Sequence, residues 1–94
     1  MLTFKGSVLS VDDRLADFHD KDENGNKLPT THKTRITTIV LLVPQSGSVS
    51  RPLICKGFGL PDDFKLPKQG VEWETPEIQS YQAKFKAIPE CNIN

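Results

Sequence analysis

The sequence predicts an all-β domain, a small barrel of five short strands, and three observations carry that reading. No segment places apolar residues at i, i+3, i+4 and i+7 over ten or more positions, so no amphipathic helix is encoded. Seven prolines, at positions 29, 44, 52, 61, 67, 76 and 89, break the chain at short intervals. Between these breaks lie short runs of β-branched and aromatic residues bounded by Gly, Pro and Ser, the pattern of a sandwich or barrel.

The first strand is expected over Leu2 to Val11, where inward alternation switches from Phe4 and Val8 to Leu9 and Val11, which suggests a bulge. The second covers Thr34 to Val43 and is closed by Pro44 and the turn Gln45-Ser46-Gly47-Ser48. The third runs from Val49 to Phe58, with Pro52 at a point where no N–H is needed. Asp62 to Leu66 is too short for more than one helical turn, which Asp62 is placed to cap. After the turn Lys68-Gln69-Gly70, the fourth strand sets Val71, Trp73 and Thr75 on one face and Glu72 and Glu74 on the other. The fifth, Tyr81 to Ile88, sets Tyr81, Ala83, Phe85 and Ala87 inward. Residues 89–94 read as a flexible tail.

This order, with a long connection between the first two strands, is the layout of an OB-like barrel. An SH3-like barrel and a β-meander sandwich are the competing arrangements. The length of 94 residues admits a single domain. Twelve Lys plus Arg balance twelve Asp plus Glu, so no net field draws the chain to nucleic acid or a membrane, and attraction must come from a local patch. The longest apolar run, Ile39 to Val43, is far short of the roughly 20 residues of a membrane helix. Met1 to Gly6 has no signal-peptide pattern, and a cytoplasmic location is the expectation. Cys55 and Cys91 are wrongly spaced for zinc and read as free thiols, Cys55 in the core and Cys91 exposed in the tail.

Residues 12–33 are the least apolar stretch and contain Asn24-Gly25, a strong hairpin signal that fits a type I′ turn. They form an expected protruding hairpin, or wing, in the place where OB-folds present a ligand loop. Asp20-Lys21-Asp22-Glu23-Asn24-Gly25 matches the opening of a calcium loop. The match fails at Lys27 and Thr31, where an apolar residue and a bidentate Glu are required. His19 and His32 sit on opposite arms of the hairpin without diagnostic metal spacing and read as surface histidines. No phosphate loop, nucleophile elbow or catalytic Cys–His spacing occurs, so the chain reads as nonenzymatic and without a cofactor.

Charge position says more than charge total. From Asn24 to Pro61 there is no Asp or Glu, while Lys27, Lys33, Arg35, Arg51 and Lys56 fall inside that stretch. These cations lie on the second and third strands, the face that binds oligonucleotides in an OB-fold, and Lys84 and Lys86 add to them. Single-strand binding also needs aromatic faces for stacking. Phe18, in a polar hairpin with no evident core duty, is the first candidate, followed by Tyr81 and Phe58. Trp73, Phe4 and Phe85 read as core.

In size, strand number, the hairpin carrying Gly25-Asn26-Lys27, the Thr- and Val-rich second strand and the turn Leu66-Pro67-Lys68-Gln69-Gly70-Val71, the chain resembles the small single-stranded DNA-binding, helix-destabilising proteins of filamentous bacteriophages and related mobile elements. The resemblance implies a symmetric homodimer that coats single-stranded DNA during phage or mobile-element replication. Combined with the residues above, it gives a nonenzymatic protein that binds single-stranded DNA or RNA, with no small-molecule substrate. Lys33, Arg35, Arg51, Lys56, Lys84 and Lys86 are the expected phosphate contacts, and Phe18 and Tyr81 the stacking residues. The alternative is a protein-interaction module built on the acidic hairpin and a dimer face. A metal-binding or hydrolytic domain using His19, His32 and nearby acids is a third class.

Overall fold

The computed structural model describes residues 2–44, 49–84 and 86–94, and among them every regular element is a strand. Six are present: β1 Lys5–Lys21, β2 Lys27–Pro44, β3 Ser50–Phe58, β4 Glu72–Glu74, β5 Ser80–Gln82 and β6 Glu90–Asn92. They form one curled sheet in the order β4-β1-β2-β3-β6-β5, with β3 and β6 parallel and the other pairs antiparallel. The sheet is a half-barrel, and residues 75–79 cross between its edges. Thr75 and Ile78 donate backbone bonds to Phe4 and Leu2, and Gln79 donates to Asn92.

The all-β expectation holds, and the strand list needs three corrections. The first two strands are far longer than expected, because the polar stretch between Val11 and Thr34 continues the β1–β2 ladder as far as Lys21 and Lys27. A ladder open to water on both faces accepts polar and charged residues as well as a loop does, and no hydrophobic signal marks the extension. The expected fifth strand is two short ones, β5 and β6, separated at Ala83 to Pro89. Ala83 and Ala87 are exposed there instead of inward, whereas Tyr81 keeps the inner face through its register with the buried Cys91 but is 48% exposed. Phe85 and the turn expected at residues 45–48 lie outside the described residues.

The third correction concerns residues 89–94. Instead of a flexible tail they supply β6, whose register sets Cys91 opposite Cys55 and buries Cys91 and Ile93 in the core. Asn94 extends the pairing with its side chain: its Oδ1 accepts from Phe58 N–H at 2.9 Å and its Nδ2 donates to Phe58 C=O. Cys91 is therefore a core thiol. The short polar ending Cys91-Asn92-Ile93-Asn94 hides a period-two pattern of only two apolar residues.

The core lies inside the curl and comprises Val8, Ile39, Leu41, Leu53, Cys55, Leu60, Cys91 and Ile93, with Phe4, Val11, Phe64, Leu66 and Trp73 packed around it. The bulge in β1 falls at Leu9, between the pairs Val8↔Leu41 and Ser10↔Val40. One extra residue there turns both Val8 and Val11 inward and leaves Leu9 exposed. Gly57 admits the side chain of Leu60 so closely that a Cβ would stand 2.7 Å from its Cδ1. Ile54 N–H donates to the Pro89 carbonyl on the β6 side of β3, so Pro52, two residues earlier, points its missing N–H to that side beyond the reach of β6. Of the fourth-strand trio, Thr75 is buried and Trp73 half-buried, whereas Val71 is exposed.

Candidate nucleic-acid interface

β3 covers β2 only from Ile36 to Pro44, so the rest of the β1–β2 hairpin leaves the barrel as a two-stranded ribbon. The molecule extends 51 × 31 × 23 Å, and its radius of gyration of 15.5 Å exceeds the roughly 12 Å of a compact chain this long. The ribbon accounts for the excess.

Its tip is a three-residue loop instead of the expected type I′ turn. Gly25 N–H donates to Asp22 C=O, Asp22 N–H donates to Asn26 C=O, and Gly25 takes φ +82°. This is the hairpin in which a turn is followed by a left-handed glycine. Asp22 Oδ1 accepts from the backbone N–H of both Asn24 and Asn26 at 2.9 Å. The calcium-like spacing thus has a structural use: that carboxylate closes the turn. Among the described residues no cluster of three or more His, Cys, Asp or Glu could hold a metal ion.

Phe18 stands on the ribbon, outside the core and 41% exposed. It pairs across the ladder with His32, and the two rings stack at 6.1 Å between centroids with 27° between planes. His32 Nδ1 lies 2.7 Å from Asp20 Oδ1. Hydrogen bonds from Thr30 and His32 hold the Asp20 carboxyl below its usual range. His19, on the opposite ribbon face, is bonded through Nδ1 to the Leu28 carbonyl at 3.0 Å. Phe18, His32, Thr34 and the exposed Phe58 of β3 line one open groove that runs from the ribbon onto the barrel wall, with Lys21 at its rim. Register explains the grouping. Phe18 and His32, then Ala16 and Thr34, then Ile36 and Phe58, are successive same-face neighbours across β1, β2 and β3.

The structure sorts the expected contact residues into four places. Phe18 and Lys33 are on the ribbon, Lys33 exposed and opposite Asp17. Arg35 and Lys56 are on the barrel wall, and both are engaged. Arg35 Nε donates to Asp13 Oδ1 at 2.8 Å and its Nη1 to the Pro61 carbonyl at 2.7 Å, and its side chain is only 16% exposed. Lys56 approaches Glu90 at 3.7 Å. Arg51, Tyr81 and Lys86 meet at the far end of the barrel with Phe4, whose ring is 5.5 Å from that of Tyr81. Lys84 is exposed at a turn after β5. His32 is the residue that sequence reasoning passed over as a binding element. Its even-numbered spacing from Thr34, Ile36 and Thr38 was the available signal, once the second strand is extended to Lys27.

No family model matches the chain, and no curated protein or solved structure matches it either.

Proposed function

We propose that this protein binds single-stranded nucleic acid along the ribbon and the adjoining barrel wall, without catalysing a reaction. The observation that carries the reading is the exposed Phe18–His32 stack continuing to Phe58. Ring faces left in water on a projecting ribbon contribute little to the core, and base–aromatic stacking is the interaction they suit. Lys21 at the groove and Lys33 on the ribbon supply charge for phosphates, and Arg51 and Lys86 stand at the far end of the barrel, apart from this groove. Arg35 serves mainly to hold the base of the ribbon. An OB-like arrangement belongs to the same proposal, supported by the half-barrel and the long first hairpin.

A homodimer is also part of it. The outer wall carries Val40, Leu42, Pro52 and Ile54 as a half-buried apolar row on adjacent strands, a surface for a second copy. That row also favours the alternative reading, a protein-interaction module. Titrating a labelled single strand of about 20 nucleotides, longer than the ~4–16 that one such barrel covers, separates the two. Saturable, salt-sensitive binding supports the proposal, and its absence at low salt leaves the interaction module.

A further inference from the structure

One inner row of the half-barrel ends in a cation. On β3 the inward positions run Gly57, Cys55, Leu53 and then Arg51, and on β2 they run Thr37, Ile39, Leu41 and Val43. Val43 and Arg51 are register partners, so the guanidinium stands at the mouth of the half-barrel. Tyr81 arrives at the same mouth by register with the buried Cys91, and Phe4 packs beside it. Together with Lys86 these residues enclose a cavity of about 280 Å³ floored by Leu53.

The cavity combines three features. One ring, Tyr81, is 48% exposed and backed by Phe4 at 5.5 Å, which leaves a rigid aromatic surface open to the cavity. One cation, Arg51, has no ion pair among the described residues. The second, Lys86, is 3.4 Å from Glu90, a carboxylate that also has Lys56 at 3.7 Å and so leaves the two lysines in excess of it by one charge. The volume lies near the lower end of small-ligand pockets, roughly 300–1,000 Å³, and barrel mouths are a common place for them. An aromatic wall, a forked guanidinium and an ammonium within a space of this size suit one planar ring carrying one phosphate.

We propose that this mouth is a binding site for a single nucleotide, with the base against Tyr81 and the phosphate held by Arg51 and Lys86. The nucleotide is bound and not converted. Its source is either a free nucleoside monophosphate or the phosphorylated end of a strand, which share this chemistry. The site stands apart from the ribbon groove: Val43 and His32 are eleven residues apart on β2, roughly 36 Å along an extended strand.

Two-dimensional amide NMR of the 15N-labelled full chain, titrated with thymidine 5′-monophosphate, tests the proposal. The expected result is saturable shifts at Arg51, Leu53, Tyr81 and Lys86, with a dissociation constant of about 0.1–1 mM and no shifts at Phe18 or His32. Thymidine and inorganic phosphate, each alone, bind at least about tenfold more weakly. Arg51→Gln lowers affinity about tenfold in a protein whose spectrum keeps the wild-type dispersion. Lys86→Gln lowers it also and does not touch the Phe4–Tyr81 pair, so the test does not depend on one variant folding. A short oligothymidylate with and without a 5′-phosphate separates the sources: shifts at the mouth only with the phosphate indicate a strand end, and shifts with the mononucleotide alone indicate the free nucleotide. Equal shifts with inorganic phosphate alone, shifts confined to Phe18 and His32, or none at about 10 mM nucleotide overturn the site. Peaks of the mouth and ribbon are read separately, so this site and the strand-binding reading fail independently.

Discussion

Arg35 Nε donates to Asp13 Oδ1 at 2.8 Å, and the same oxygen accepts the hydroxyl of the fully buried Thr37, also at 2.8 Å. The guanidinium continues to the Pro61 carbonyl at 2.7 Å, which ties the base of the ribbon to the loop that follows β3. Two neighbouring strands and one loop are thereby fastened through a single carboxylate. An arginine that looks on sequence like a phosphate contact is held in the frame that aims the ribbon.

Replacing Arg35 with Gln is accordingly expected to lower the urea midpoint, because the charged hydrogen bond to Asp13 and the tie to the Pro61 carbonyl are lost. Urea unfolding measures this. An unchanged midpoint together with weakened oligonucleotide binding would place Arg35 on the phosphate instead.

The same contact sets a pH dependence. Hydrogen bonding from Arg35, then from Thr37, holds the Asp13 carboxyl below its ordinary 3.8 against a partial opposing effect of burial. A carboxyl depressed in the folded state contributes stability above its unfolded pKa and loses it as pH falls through the folded value. The melting temperature of the wild type should therefore drop between about pH 4 and pH 2 more steeply than that of Asp13→Asn. Parallel curves for the two proteins contradict this role.

Gly57→Ala is expected to destabilise by about 1–3 kcal/mol, because the new Cβ would meet Leu60 Cδ1 at 2.7 Å in a packed core. The pair Gly57→Ala with Leu60→Ala should cost less than the sum of the single changes, since the second removes the atoms that the first collides with. Additive losses by thermal unfolding would mean that the two do not share that space.

Cys55 and Cys91 face each other in register with 0% and 1% exposure. The hydrogen bond to Cys91 and burial both push the Cys55 thiol far up, so it stays protonated at neutral pH. Native protein is expected to react with a thiol reagent only at its unfolding rate, and both thiols quickly in denaturant. Fast labelling of Cys91 in native protein would restore the loose tail that β6 replaces.

Parts of the fold are legible in the amino-acid sequence alone. Ile39, Leu41, Leu53 and Cys55 announce β2 and β3, because alternation with half-polar partners is strong there. The ribbon is legible as a protruding hairpin from Asn24-Gly25, but how far its strands run is not, since neither of its faces is buried and alternation needs a buried face to show itself. The last strand hides for the opposite reason. Three residues suffice once β3 offers a free edge, and three residues make no periodicity. Of the site, Phe18 is readable because an aromatic in a charged hairpin is anomalous. The convergence of Arg51, Tyr81 and Lys86 is not readable, because it depends on the parallel β3–β6 pairing that brings positions 51 and 81 together.

Single-strand binding by the ribbon is tested most directly by titrating wild type and Phe18→Ala with the same strand across a salt series, with melting temperatures measured alongside. The wild type should bind at low salt, and log K should fall against log salt with a slope of about 0.7 for each phosphate neutralised. Phe18→Ala should lose roughly 1–3 kcal/mol of binding with that slope and the melting temperature unchanged, because an exposed stacking ring carries neither charge nor core packing. Folded wild-type protein with no detectable binding at low salt, or a Phe18→Ala variant that binds as tightly as the wild type, would contradict the account.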